Sequence, residues 1–182
     1  MQGSELMKCH VTVDGALPRA LGISRAELRS AAAFFAAKSS VRVGEPFRAV
    51  SVVLQDDGFS AEVHAAVNGA EGPTDVVTQR YDAMPGEEPG VYGELYVNVD
   101  QAMRAAPRRS GWSPAKELLL YVAHGMDHLS GADDLDATSQ ARMRRRELRW
   151  LRQCAAINLK PSAAPSPFRT RGSRGPRPRA FS

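Results

Sequence analysis

Apolar and polar positions alternate from Lys8 to Asp14, with Cys9, Val11 and Val13 on one face, and this predicts a strand. Ser24 followed by Glu27 forms a capping box at the start of a helix running through Leu28, Ala31, Ala32, Phe34 and Phe35. Arg48 to Leu54 is β-branched and apolar, as in a buried strand. Gln55 to Gly58 reads as a turn, and Phe59 to Val67 as a second helix with Ser60 as its cap. Gly69 to Pro73 is a loop, and Thr74 to Thr78 a short strand-like run. Met84 to Gly90 is a loop rich in Pro, Gly and Glu, and Val91 to Val99 alternates as a further strand. Ala102 to Gly111 is polar and basic and predicts a poorly packed helix or loop.

The next helix is the clearest. Ser113 suits its N-cap and Pro114 its first position, where the missing N–H does no harm. Glu117 lies in the first turn, where the helix dipole favours an acid. Leu118, Leu119, Tyr121 and Val122 make the cylinder apolar nearly all round, so this helix is central and buried. Gly131 suits the left-handed residue past its end. A last helix, Thr138 to Cys154, carries Arg142, Arg144, Arg145, Arg146, Arg149 and Arg152. Strands and helices mix without a regular βαβ alternation, which predicts an α+β fold, a small mixed sheet packed with helices.

Charge divides the chain in two. The net charge is +4 over 182 residues, but residues 160–182 hold six basic residues and no acid. Without them, 18 basic residues face 20 acidic ones. Residues 1–158 are therefore expected to form one domain, and residues 159–182 a basic, Pro- and Arg-rich disordered tail, too poor in apolar residues to repay ordering. Two cysteines, Cys9 and Cys154, are too few for a disulfide framework and fit a reducing compartment. There is no apolar run long enough for a signal peptide or a membrane span, so the expected location is cytoplasmic, with no membrane partner.

The candidate chemistry lies at the end of the central helix. His124 and His128 are four residues apart, so both imidazoles point to one side and can clamp one ion. A glycine-capped turn then returns an acidic pair, Asp133-Asp134, to the helix end. One carboxylate would complete three protein ligands and leave a position for water, as in catalytic zinc sites. The spacing equally fits two hydrogen-bonded histidines. Gly125 stands where the HExxH proteases carry glutamate, which argues against a zincin protease. So small a residue lets another backbone or a substrate approach closely. The other histidines, His10 and His64, read as structural or exposed.

The stretch from His124 to Asp134 resembles the signature of the YbeY family of rRNA-maturation endoribonucleases, H-G-x-L-H-L-x-G-Y-D-H, whose three histidines hold zinc. His124, Gly125, His128, Leu129, Gly131 and Asp133 match at the same spacing. Pro73-Thr74-Asp75-Val76 is similar to the family's P-T-D-V segment, and Gly93-Glu94-Leu95 to its G-D-I strand. Val50 to Asp57 and the helix ending in Val63-His64 resemble its strand, acidic turn and following helix. The likeness covers roughly residues 8–155.

The resemblance implies an α+β fold with a zinc-bearing central helix, one zinc per chain, and hydrolysis of RNA phosphodiesters in ribosomal RNA maturation and ribosome quality control. Its partners would be ribosomal RNA or the small ribosomal subunit. His124 and His128 carry over as metal ligands, and Asp134 takes the place of the third histidine. A carboxylate remains a competent zinc ligand, but its charge makes the bound water less acidic than in an all-histidine site. Ala132 replaces the family's Tyr, and Asp127 its usual Leu. Asp127 is either a solvated helix-end acid or a hydrogen-bond partner of a ligand or metal water, which makes it a candidate catalytic residue. Thr78-Gln79 replaces the usual Ser-Phe, and Asn68 or Gly69 stands where an arginine is often found. An arginine there would stabilise charge developing on a phosphodiester. These departures leave two alternatives open: a degenerate, non-catalytic member that binds ribosome or RNA, and a different metal hydrolase on the same fold. The arginines of the last helix and tail are compatible with RNA but equally with solvated surface.

Overall fold

A computed structural model describes residues 9–154 of the chain. The expected disordered tail and the boundary at residue 158 lie outside the described residues. Strands β1 (His10–Asp14), β2 (Phe47–Gln55), β3 (Val76–Tyr81) and β4 (Val91–Asn98) form one sheet in the order β1-β2-β4-β3. β1 and β4 run parallel to β2, and β3 runs antiparallel to β4. Helices α1 (Arg25–Val43), α2 (Asp57–Asn68), α3 (Val99–Ala105), α4 (Pro114–Leu129) and α5 (Ala137–Gln153) complete the α+β fold.

Local sequence explains most of the boundaries. The Ser24–Glu27 capping box is present, and hydrogen bonds from Ser24 hold the Glu27 carboxyl below its usual range. The second helix starts two residues earlier than its composition predicts. Asp56, not Ser60, is its cap: the carboxylate accepts from Phe59 N at 2.9 Å, so the expected turn becomes the first helical turn. Ser60 is buried instead, where Oγ donates to Thr74 O at 3.0 Å and accepts from Thr74 N at 3.2 Å. That pair fixes the segment leading into β3. The expected poorly packed stretch from Ala102 is also corrected. Asn98 caps α3 by accepting from Gln101 N, a 3-10 turn follows at Ala106–Arg108, and Ala102 and Ala106 are fully buried. The polar residues there occupy one side of a packed element.

Helix α4 is the centre of the molecule. It packs against α1, α3, α5, β3 and β4, and 12 of its 16 residues are buried. Close contact with the sheet depends on two glycines. A methyl group on Gly125 would meet Leu95 Cδ2 at 2.7 Å and Val76 Cγ2 at 3.2 Å. One on Gly93 would meet Leu129 Cδ2 at 2.5 Å. What approaches Gly125 is therefore the side-chain layer of β3 and β4, rather than a second backbone or a substrate. A larger residue at Gly125 would require the Leu95 and Val76 side chains to give way beneath the helix.

Candidate metal centre

The end of α4 folds back through a Schellman motif. Gly131 has φ 76°, its N–H donates to His128 O at 2.8 Å, and Ala132 N donates to Asp127 O at 3.2 Å. Two arginines from other elements take the neighbouring carbonyls. Arg80 Nη1 donates to Leu129 O at 2.9 Å, and Arg42 Nη2 to Ser130 O at 2.6 Å. Cations at a helix C-terminus are also favoured by the dipole. The reversed chain then places Ala132 O 3.0 Å from His128 Nδ1 and brings Asp134 beside the histidines.

His124, His128 and Asp134 are all half-buried, and one donor atom of each lies within 4.8 Å of the others. His124 Nε2 and His128 Nε2 are 3.1 Å apart, and Asp134 Oδ2 is 3.9 Å from His124 Nε2. Tetrahedral zinc ligands at about 2.0–2.1 Å would stand about 3.3 Å from one another, so the histidine pair is already close to that spacing, and Asp134 would have to move nearer by about half an ångström or more. Asp133, the other member of the acidic pair, is exposed and outside this cluster.

The hydrogen bonds fix the proton positions. A carbonyl only accepts, so His128 must carry its proton on Nδ1 to donate to Ala132 O. His124 Nδ1 lies 2.6 Å from Glu147 Oε1 and donates to that carboxylate in the same way. Both Nε2 lone pairs then face each other. Two acceptors at 3.1 Å need a cation or a shared proton between them. Burial disfavours a charged His124, but the Glu147 hydrogen bond and charge, with Asp75 and Asp134 adding, leave its pKa above the ordinary value. The same field favours a bound divalent cation. The donor set therefore fits zinc, with Glu147 and Ala132 O holding the rings as outer partners of metal-bound histidines do.

A cleft of about 470 Å³ opens over His124 and Asp134, lined also by Asp75, Tyr121, Gln140, Arg144 and Glu147. Asp75 belongs to the Pro73-Thr74-Asp75-Val76 segment, where nothing local in the sequence marks it for the site. Its Oδ1 accepts from Val76 N and Thr74 Oγ1, which pins it at the cleft wall. Glu147 belongs to no motif, yet it carries a legible signal. It shares the buried face of α5 with Met143, Trp150 and Leu151, so an acid sits four residues from Met143 on an otherwise apolar stripe.

Asp127 is not solvated, and its carboxylate is taken up by arginines rather than by the histidine pair. It is 0% exposed, and its carboxylate accepts from Arg146 Nε at 2.8 and 3.0 Å and pairs with Arg42 Nε at 3.3 Å. With both oxygens held by guanidinium groups, it joins α4 to α1 and α5. The expectation of a solvated acid fails because α5 lies directly across this side of α4. Of the remaining histidines, His10 is exposed and His64 Nδ1 bonds Gly72 O at 2.9 Å.

Comparison with known proteins gives the family and the fold. The family model described as Endoribonuclease YbeY matches residues 22–155. The Endoribonuclease YbeY of Rhodopirellula baltica is 36% identical over 129 residues, covering 70% of this chain and 63% of its own. That of Kineococcus radiotolerans is 35% identical over 104 residues, covering 54% and 60%. That of Rhodococcus erythropolis is 30% identical over 131 residues, covering 68% and 71%. The chain thus spans under two thirds of the length of the first two relatives. The solution structure of TM1509 from Thermotoga maritima shares the fold, with a TM-score of 0.57, 20% identity, and coverage of 87% of this chain and 97% of that one. Matched over the residues that carry the histidine pair, the returning aspartate and strands β2, β3 and β4, the chain belongs to the YbeY family.

Proposed function

We propose that the protein is a zinc-dependent endoribonuclease that hydrolyses RNA phosphodiesters, acting on ribosomal RNA in its maturation and in ribosome quality control. The observation that carries this reading is the convergence of His124 Nε2, His128 Nε2 and Asp134 Oδ2 beside a cleft of about 470 Å³ that His124 and Asp134 line. The names of the relatives support the RNA substrate. A cytoplasmic location is in keeping with it: no helix among the described residues is long and apolar enough to cross a membrane.

His124, His128 and Asp134 would hold one zinc per chain, which supplies Lewis acidity toward water and a phosphoryl oxygen. Glu147 and Ala132 O keep the two rings in the tautomer that leaves Nε2 without a proton. Asp75 and Glu147 favour positive charge at this spot. We assign Asp127 to support of the helix end, not to the chemistry.

Incubating full-length protein with ribosomal RNA should give fragments that vanish with chelator and return with added zinc. Persistent RNA binding without chelator-sensitive cleavage would instead favour a non-catalytic member, a reading motivated by Thr78-Gln79 and by the aspartate at the third ligand position. Cleavage of small phosphoesters alone would point to a different hydrolase.

A further inference from the structure

Resting on the nuclease reading above, we propose that Arg144 is the residue that binds the RNA phosphate at this centre. Three carboxylates line the cleft, those of Asp75, Asp134 and Glu147, and Arg144 is the one arginine or lysine among its described lining residues. A divalent cation alone would leave those carboxylates with net negative charge, which repels a phosphodiester. The cation and Arg144 together balance them. No positive charge comes from the end of α2, where Asn68 and Gly69 stand.

The geometry leaves the guanidinium able to act. Its side chain is 47% exposed, and its ionic partner among the described residues is Glu147, with Nη1 to Oε2 at 3.6 Å. That is longer than a hydrogen bond, so the planar fork keeps its donors for a ligand. The other oxygen of the same carboxylate holds His124 Nδ1 at 2.6 Å. Arg144 is therefore one side chain away from the proposed ligand His124, and it lines the same cleft as His124 and Asp134. The helix supplies internal controls: Arg145 and Arg149 are exposed on α5 but do not line the cleft.

The test measures binding of a short fluorescent single-stranded RNA to the full chain, with chelator and with zinc. Arg144→Ala should weaken binding about 10-fold in both states, the size of one charge-assisted contact, and lower the salt dependence by about one phosphate. Arg144→Lys should recover part of the loss, because it restores charge without the fork. Zinc affinity should not fall, since the variant removes a positive charge from the cleft, and melting temperature should stay at the wild-type value. Unchanged RNA binding in Arg144→Ala, or an equal loss in Arg145→Ala, would overturn the proposal. So would a parallel loss of zinc affinity, which would mark Arg144 as a positioning residue for Glu147. Absence of RNA cleavage by the wild type would sink the nuclease reading, whereas the binding comparison decides the role of Arg144 independently.

Discussion

Glu147→Ala is expected to bind zinc about 10- to 100-fold more weakly than the wild-type protein, although Glu147 touches no metal. The carboxylate acts in two ways. It fixes the His124 ring by accepting from Nδ1 at 2.6 Å, and its charge favours a cation at Nε2. Glu147→Gln retains an acceptor but not the charge, so it should lose less. Competition with protons gives a second readout. Because Glu147 helps raise the His124 pKa, wild-type zinc affinity should begin to fall at a higher pH on acidification than the affinity of the alanine variant. Titration calorimetry over a pH series measures both, and circular dichroism checks that α5 survives. Wild-type affinity in Glu147→Ala would show that the His124 tautomer is set elsewhere.

The second large effect concerns stability. Asp127→Ala should cost about 2–4 kcal/mol, because it leaves two inward-facing guanidinium groups without their counter-ion. The lower part of the range for broken buried pairs applies, since the side chains of Arg42 and Arg146 are 30% and 21% exposed and can partly rehydrate. A fall in Tm on the order of 10 °C follows for a domain of this size. Burial pushes the Asp127 carboxyl above its ordinary pKa while Arg146 and Arg42 pull it back, so much of their attraction is consumed by desolvation. Replacing one pair with apolar residues, Asp127→Leu with Arg146→Leu, removes one of the two stranded guanidinium groups and should therefore recover part of the loss, with Arg42 still left without its counter-ion. Thermal melts of the three proteins decide the matter. A single variant within about 0.5 kcal/mol of wild type, the range of ordinary surface substitutions, would show that the pair carries little.

What could be read in the sequence follows from how local the cause is. Ser24-Glu27, Ser113-Pro114 and Gly131 act within a turn of their own helix, and each does what its chemistry predicts. The histidine pair was legible because a spacing of four is a property of one helix. Asp134 was favoured over Asp133 by its place in the motif, and the Schellman turn is the physical reason that it lies beside the histidines while Asp133 is exposed. The failures are tertiary. Asp127 looks like a helix-end acid until α1 and α5 deliver Arg42 and Arg146 to it. Ser60 looks like a cap until Thr74 folds back onto it. Glu147 lies 23 residues from the histidine it orients, and only the packing of α5 on α4 joins them.

The central claim is that one metal sits between His124, His128 and Asp134. Its most direct test is the metal content of the freshly purified full chain, measured by elemental mass spectrometry alongside His128→Ala. The account predicts about one zinc per wild-type chain and essentially none in the folded variant. A wild type that carries no zinc and takes up none when it is supplied, or a variant that retains the full amount, would contradict it.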